Sequence, residues 1–209
     1  MDSFIKQHWE NIYETNPSSE LSWTEAMPQM SLEIIRSLGL DSSTSIIDVG
    51  GGDSRLVDHL LEEGFTRITV LDISGNALHK TKDRLGKKSV GVKWIEADIN
   101  EFSPAASYDL WHDRAAFHFL TGEDQIRRYA EIASLFTKKF LVIGTFSENG
   151  PEKCSGLPVT RYGETRIEEV FGKNFEKINC QAKDHLTPAG KIQNFQFCSF
   201  RRKASISAY

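Results

Sequence analysis

Apolar positions along the chain alternate between short continuous runs and runs spaced three and four apart. Ile46 and Ile47 close a buried strand that ends at Asp48, and Leu56, Val57, Leu60 and Leu61 then recur on one face of a helix over Ser54–Glu63 that stops at Gly64. The alternation repeats. Ile68–Asp72 is apolar enough to be buried on both faces, a helix follows over Gly75–Leu85, and Val90–Ala97 reads as the third strand. Tyr108–His112 is the fourth, Glu123–Phe136 the next helix, and Phe140–Phe146 the fifth strand and the most hydrophobic run of the chain. Strand and helix in this rhythm predict a parallel sheet with helices on both faces.

The two ends depart from the rhythm. Ser3–Thr15 has Phe4, Ile5, Trp9, Ile12 and Tyr13 at helical spacing, Asn16-Pro17-Ser18-Ser19 stops that helix, and another runs from Pro28 to Leu38 before Gly39. Trp9, Tyr13 and Trp23 have two readings, packing on the core or a lid over a ligand. After the fifth strand, Ser147–Thr160 is a long irregular loop, of a kind that is uncommon unless functional. A helix over Glu164–Phe171 precedes two strand-like runs, Phe175–Cys180 and Asn194–Arg202, expected to pair as an antiparallel hairpin.

The first strand leads into Asp48-Val-Gly-Gly-Gly, a turn that side chains would block and that sets backbone N–H groups and a helix start beside a ligand. Arg55 stands where the dinucleotide fingerprint needs its third glycine, and no Gly-Lys-Ser/Thr follows for a phosphate loop. A carboxylate at Asp48 repels a pyrophosphate and suits a cationic ligand.

Composition narrows the setting. The 209 residues make one domain most simply, 39% hydrophobic and 26% charged, as in an ordinary soluble globule. A net charge of -4 argues against nucleic acid held by bulk charge. Cys154, Cys180 and Cys198 are odd in number and widely spaced, so buried free thiols are expected, and no cluster asks for a metal. With no apolar signal core and no run of membrane-spanning length, the expected address is the cytoplasm.

Acidic residues recur at the carboxyl ends of three strands, Asp48, Asp72 and Asp98, where open parallel sheets bind ligands, and Asp72 stands where a carboxylate accepts ribose hydroxyls. With Asp48-Val-Gly-Gly-Gly, Leu71-Asp72-Ile73-Ser74 and Glu96-Ala97-Asp98-Ile99, the chain resembles the class I S-adenosylmethionine-dependent methyltransferases over most of its length. The resemblance implies a single Rossmann-like α/β domain with a mostly parallel seven-stranded sheet of order 3-2-1-4-5-7-6, the last strand antiparallel. It implies a helical lid or cap in 1–40, a cofactor core in 41–146, and an acceptor loop with the hairpin in 147–209. It further implies that Gly50, Gly51 and Gly52 pack against the methionine part of the cofactor, Asp72 takes the ribose, and Asp98, Ile99 and Ile73 flank the adenine. Asp48, His112, Trp9 and Trp23 complete the expected cofactor set. Gly51 replaces the different small residue of many members, without expected loss because the backbone makes the contact.

Asp109-Leu-Trp-His-Asp113-Arg114 looks like the Asp-Arg motif of thiopurine and thiol methyltransferases, whereas similar protein lysine methyltransferases have Asp-Lys-Gly there. Arg114 favours the small-molecule branch. The expected activity is methyl transfer by in-line displacement to a small nucleophilic acceptor, such as a thiol or other sulfur or selenium compound, with a protein lysine as the alternative. Catalysis then rests on alignment and exclusion of water. Asp113 is assigned an orienting role and Arg114 a contact to cofactor or acceptor. His112, Asp113 and His118 are the candidate bases, His118 reading better as packed between Phe117 and Phe119, and Asp113 with Arg114 also reads as a structural ion pair.

Overall fold

The computed structural model describes residues 3–204. The N-terminal segment forms α1 (Ser3–Thr15), a 3-10 turn at Ser18–Glu20 and α2 (Gln29–Ser37). Strand and helix then alternate as β1 (Ser45–Val49), α3 (Leu56–Glu62), β2 (Arg67–Asp72), α4 (Gly75–Leu85), β3 (Val92–Glu96), β4 (Tyr108–Arg114), α5 (Glu123–Phe136) and β5 (Thr137–Phe146). A two-residue ladder, β6 (Lys153–Cys154) with β7 (Leu157–Pro158), precedes α6 (Glu164–Phe171), β8 (Phe175–Leu186) and β9 (Ile192–Arg202).

The main sheet runs β3-β2-β1-β4-β5-β9-β8, and β9 is antiparallel to both of its neighbours. Counting its seven strands in chain order gives the expected 3-2-1-4-5-7-6. Period-two alternation divides the core between the two faces. Ile47, Trp111 and Ile143 pack toward α5 and α6 with Tyr129 and Phe171, while Ile46, Leu110 and Val142 pack toward α2, α3 and α4 with Leu32, Leu60 and Leu78. Trp9, Tyr13 and Leu21 gather under the N-terminal segment with Ala77 of α4.

Four differences from the sequence expectations have local causes. First, β4 continues two residues beyond His112, because Asp113 and Arg114 still pair with Ile143 and Gly144 of β5. Second, β3 begins at Val92, since Val90 lies exposed in a 3-10 turn over Gly86–Gly91. Third, the hairpin strands are longer than expected and pair from Phe175–Arg202 up to Leu186–Ile192. Fourth, their register sets Cys180 directly opposite Cys198, and the two form a disulfide, correcting the expectation of free thiols. Cys154 is a buried free thiol.

Candidate active site

The carboxyl ends of β1, β2 and β3 are brought level by their register, Asp48 beside Val70 and Asp72 beside Glu96. At this edge the glycine turn folds back onto β2, with the N–H groups of Gly50 and Gly51 both donating to the Leu71 carbonyl at 2.8 and 3.2 Å. Gly50 takes a positive φ of 67°, open to glycine at little cost. Gly51 is tight for another reason. A Cβ there would stand 2.5 Å from Oδ2 of Asp48 and 2.9 Å from Cγ1 of Val70. Asp48 cannot swing aside cheaply, because it is buried and its Oδ1 is paired with His112 Nδ1 at 2.7 Å. Gly51→Ala is therefore expected to cost about 1–3 kcal/mol by overpacking and to weaken ligand binding. Denaturant unfolding of the variant beside the wild type measures the cost.

A cavity of about 340 Å³ opens over this edge. Gly50, Asp72, Ile73, Asp98 and Ile99 lie on its wall, and so do Trp9, Trp23 and Arg114. Asp48, Gly51 and His112 lie instead on a small adjoining recess behind the turn, and Gly52 backs onto the Asp72 carboxylate, where a Cβ would stand 2.5 Å from Oδ2. His112 is consumed there. Its Nδ1 pairs with Asp48 and its Nε2 with Ser31 Oγ at 2.9 Å, so the ring ties β1 and β4 to α2 and is not poised as a base.

Asp113 and Arg114 are neighbours on one strand and so point to opposite faces. Asp113 is fully buried on the α5 side, accepting N–H groups from Ala116 and Phe117 at 3.0 and 3.1 Å and the Tyr129 hydroxyl at 2.6 Å. Burial is the largest influence on its carboxyl and pushes the pKa up to about 6, against these hydrogen bonds. It lines none of the cavities described here, and its hydrogen bonds fix the turn after β4, which Ala115 enters at a positive φ of 70°. Arg114 faces the other way, donating from Nη1 and Nη2 to the Trp23 carbonyl at 3.1 Å and pairing with Glu25 at 3.1 Å. The two do not form an ion pair with each other. His118 is buried, its Nδ1 accepting the Phe146 N–H at 3.1 Å, and burial followed by the nearby Arg114 charge lowers its pKa to about 3. It is the packed neutral histidine that the aromatic run around it favours.

The aromatic N-terminal residues meet over the glycine turn. Trp9 packs edge-on to Trp23 and Phe119 at 5.7 and 4.9 Å between ring centres, and Tyr13 lies 6.0 Å from Trp23. Two further residues hold this layer and were not read from sequence. Glu10 reaches from α1 to the start of α4, accepting from Ser74 Oγ and from the Gly75 and Asn76 N–H groups at 2.8, 2.8 and 3.0 Å. Burial opposes ionisation of Glu10, but these bonds outweigh it and hold the carboxyl below its usual range at a helix N-terminus. Asp53 in the glycine turn accepts from Ser18 and from Arg84 of α4.

Comparison with known proteins places this geometry. Residues 46–139 match the family model of a methyltransferase domain. EEF1A lysine methyltransferase 2 of Danio rerio is 21% identical over 203 residues, covering 92% of this chain and 80% of that protein. A structure of the conversion of a disulfide bond into a thioacetal group during echinomycin biosynthesis superposes with a TM-score of 0.78 at 17% identity, over 97% of this chain and 95% of that one. The 1,6-didemethyltoxoflavin-N1-methyltransferase of Burkholderia thailandensis, solved with 1,6-didemethyltoxoflavin and S-adenosylhomocysteine, gives 0.67 at 16% identity, over 96% and 86%. The fold is one shared with S-adenosylmethionine-dependent methyltransferases.

The cavity fits that cofactor. Asp72 keeps a carboxylate on the wall, with Oδ1 accepting the Ser74 N–H at 2.9 Å. Near Asp98 and Ile99, the buried Oδ1 of Asn100 has no hydrogen-bond partner among the described residues, an acceptor available to an exocyclic amine. Asn100 was missed because a lone asparagine after a strand reads as a turn former. Among the described residues no group of three or more His, Cys, Asp or Glu is arranged to hold a metal.

Proposed function

We propose that this enzyme transfers the methyl group of S-adenosylmethionine to a small nucleophilic acceptor whose reacting atom is sulfur or selenium. The observation that carries the reading is the composition of the cavity wall. Trp9, Tyr13, Trp23, Phe119, Phe146 and Phe195 enclose it with Leu157 and Pro158 of the loop after β5, an apolar surround suited to a small molecule more than to a polar polypeptide. The carboxylates lining it, Asp72 and Asp98, are given to the cofactor in this reading, and no histidine, lysine or glutamate among the described residues joins them. An amine or alcohol acceptor needs a base within hydrogen-bond reach to become nucleophilic, whereas a thiol supplies its own thiolate near neutral pH. Gly50, Asp72, Asp98 and Asn100 would hold the cofactor, whose sulfonium supplies an activated methyl group. The protein's part is then to orient the acceptor in line, with the aromatic layer excluding water.

Methylation of a protein lysine is the second reading, favoured by the 21% identity to a lysine methyltransferase across most of both chains. One assay separates the two. The enzyme is incubated with methyl-labelled S-adenosylmethionine and, in parallel, with small thiols or selenols and with cell-extract protein. Label in the low-mass thioether or selenoether fraction is the expected outcome; label confined to a discrete protein band supports the lysine reading and overturns the first.

A further inference from the structure

Residues 21–25 carry Trp23 across the glycine turn, and no helix or strand includes them. What fixes this stretch is a polar ring contributed by distant parts of the chain. His185 of β8 is buried, and its Nε2 lies 2.6 Å from the Ser22 carbonyl while its Nδ1 lies 2.8 Å from Oε1 of Glu25. The same Glu25 oxygen pairs with Arg114 of β4, whose guanidinium donates twice to the Trp23 carbonyl. One carboxylate thus joins two side chains, and each of these grips one of two successive carbonyls. Burial works against ionisation of Glu25, but the His185 bond and the Arg114 charge outweigh it and hold the carboxyl below its usual range. The ring is seated on Phe195, which lies under the Arg114 guanidinium at 5.5 Å and edge-on to His185 at 6.0 Å.

Held in this way, the Trp23 side chain lines both the main cavity and the recess beside Gly50, Gly51 and Asp53. That is the end of the site where the methionine part of the cofactor is expected. Resting on the methyltransferase reading above, we propose that Glu25 and His185 are positioning residues that act through Trp23 to retain the cofactor. The device couples the C-terminal hairpin to the cofactor cavity: a shift of β8 at His185 loosens Trp23 although His185 and Glu25 do not themselves line the main cavity.

The test follows S-adenosylhomocysteine dissociation from the full-length protein by stopped-flow, with affinity from calorimetry. His185→Ala and Glu25→Ala are each expected to speed dissociation about tenfold. His185→Gln, which can still donate to the Ser22 carbonyl, recovers part of the loss. In a Trp23→Ala background, His185→Ala adds less than about twofold, because its effect runs through the indole. A merely structural role gives the same increment in both backgrounds, and that result overturns the proposal, as does a His185→Ala rate equal to that of the wild type. Glu25→Gln, read the same way, carries the test if His185→Ala does not fold. Failure of the wild type itself to bind S-adenosylhomocysteine strikes the methyltransferase reading instead.

Discussion

Replacing Asp72 with alanine is expected to weaken S-adenosylmethionine binding at least about 100-fold, since a buried charged acceptor facing two hydroxyls contributes about 1.5–3 kcal/mol per bond. Asp72 is only 6% exposed. Burial is the largest influence on it and raises its pKa to about 7, with backbone N–H groups of Ser74 and Gly52 pulling the other way. Two consequences have opposite signs. Hydroxyl donors favour the charged form, so cofactor affinity falls as pH drops below about 7 and Asp72 takes up a proton. In the empty protein the folded state holds that proton more tightly than the unfolded chain, so stability is full below the ordinary carboxylate range and is lost as pH rises through about 7. Asp72→Asn is therefore expected to melt higher than the wild type at pH 8 without ligand while failing to bind the cofactor. Thermal melts with and without S-adenosylmethionine at pH 6 and 8 measure both effects. A variant that binds normally, or a wild-type affinity flat across that range, contradicts the assignment.

Asp113→Ala is expected to cost about 3 kcal/mol or more of folding stability, because it strands the Ala116 and Phe117 N–H groups and the Tyr129 hydroxyl inside the core. Tyr129 also accepts from Nε1 of Trp111 at 3.0 Å, so the loss spreads into the packing between β4 and α5. For a chain of this length the melting temperature should fall by about 6–12 °C. Asp113→Asn keeps an acceptor for the two backbone groups and should recover much of the loss. The carboxyl's own pKa of about 6 lies above the ordinary carboxylate value, so its contribution to stability declines as pH rises through about 6. A catalytic aspartate behaves otherwise, losing turnover with an unchanged melting temperature, and that outcome would restore the role that sequence alone assigns to it.

Much of the architecture was legible because it is written in short-range patterns. Unbroken apolar runs such as Ile68–Asp72 and Phe140–Phe146, separated by helical spacing, define a parallel sheet, and glycine and aspartate mark its carboxyl edge. The strand-end residues Gly50, Asp72, Ile73, Asp98 and Ile99 do stand on one cavity wall. The misreadings share a different cause. The strand setting of Asp113 was not legible because nothing local shows that β4 runs on to Arg114, and one strand residue more or less decides which face a side chain takes. The Cys180–Cys198 disulfide depends on the register of β8 and β9, and Glu25 meets His185 across 160 positions, so neither leaves a local signal. Glu10 was hidden similarly: a glutamate on an amphipathic helix reads as a solvated face, yet it caps α4 from outside.

The central claim is that the glycine turn and the acidic strand ends form a site for a cationic sulfonium nucleoside. Calorimetric titration of the wild-type chain with S-adenosylmethionine at pH 8 tests it most directly. The account predicts saturable heat at one equivalent, abolished in Asp72→Ala; the absence of heat from a folded wild-type protein would contradict it.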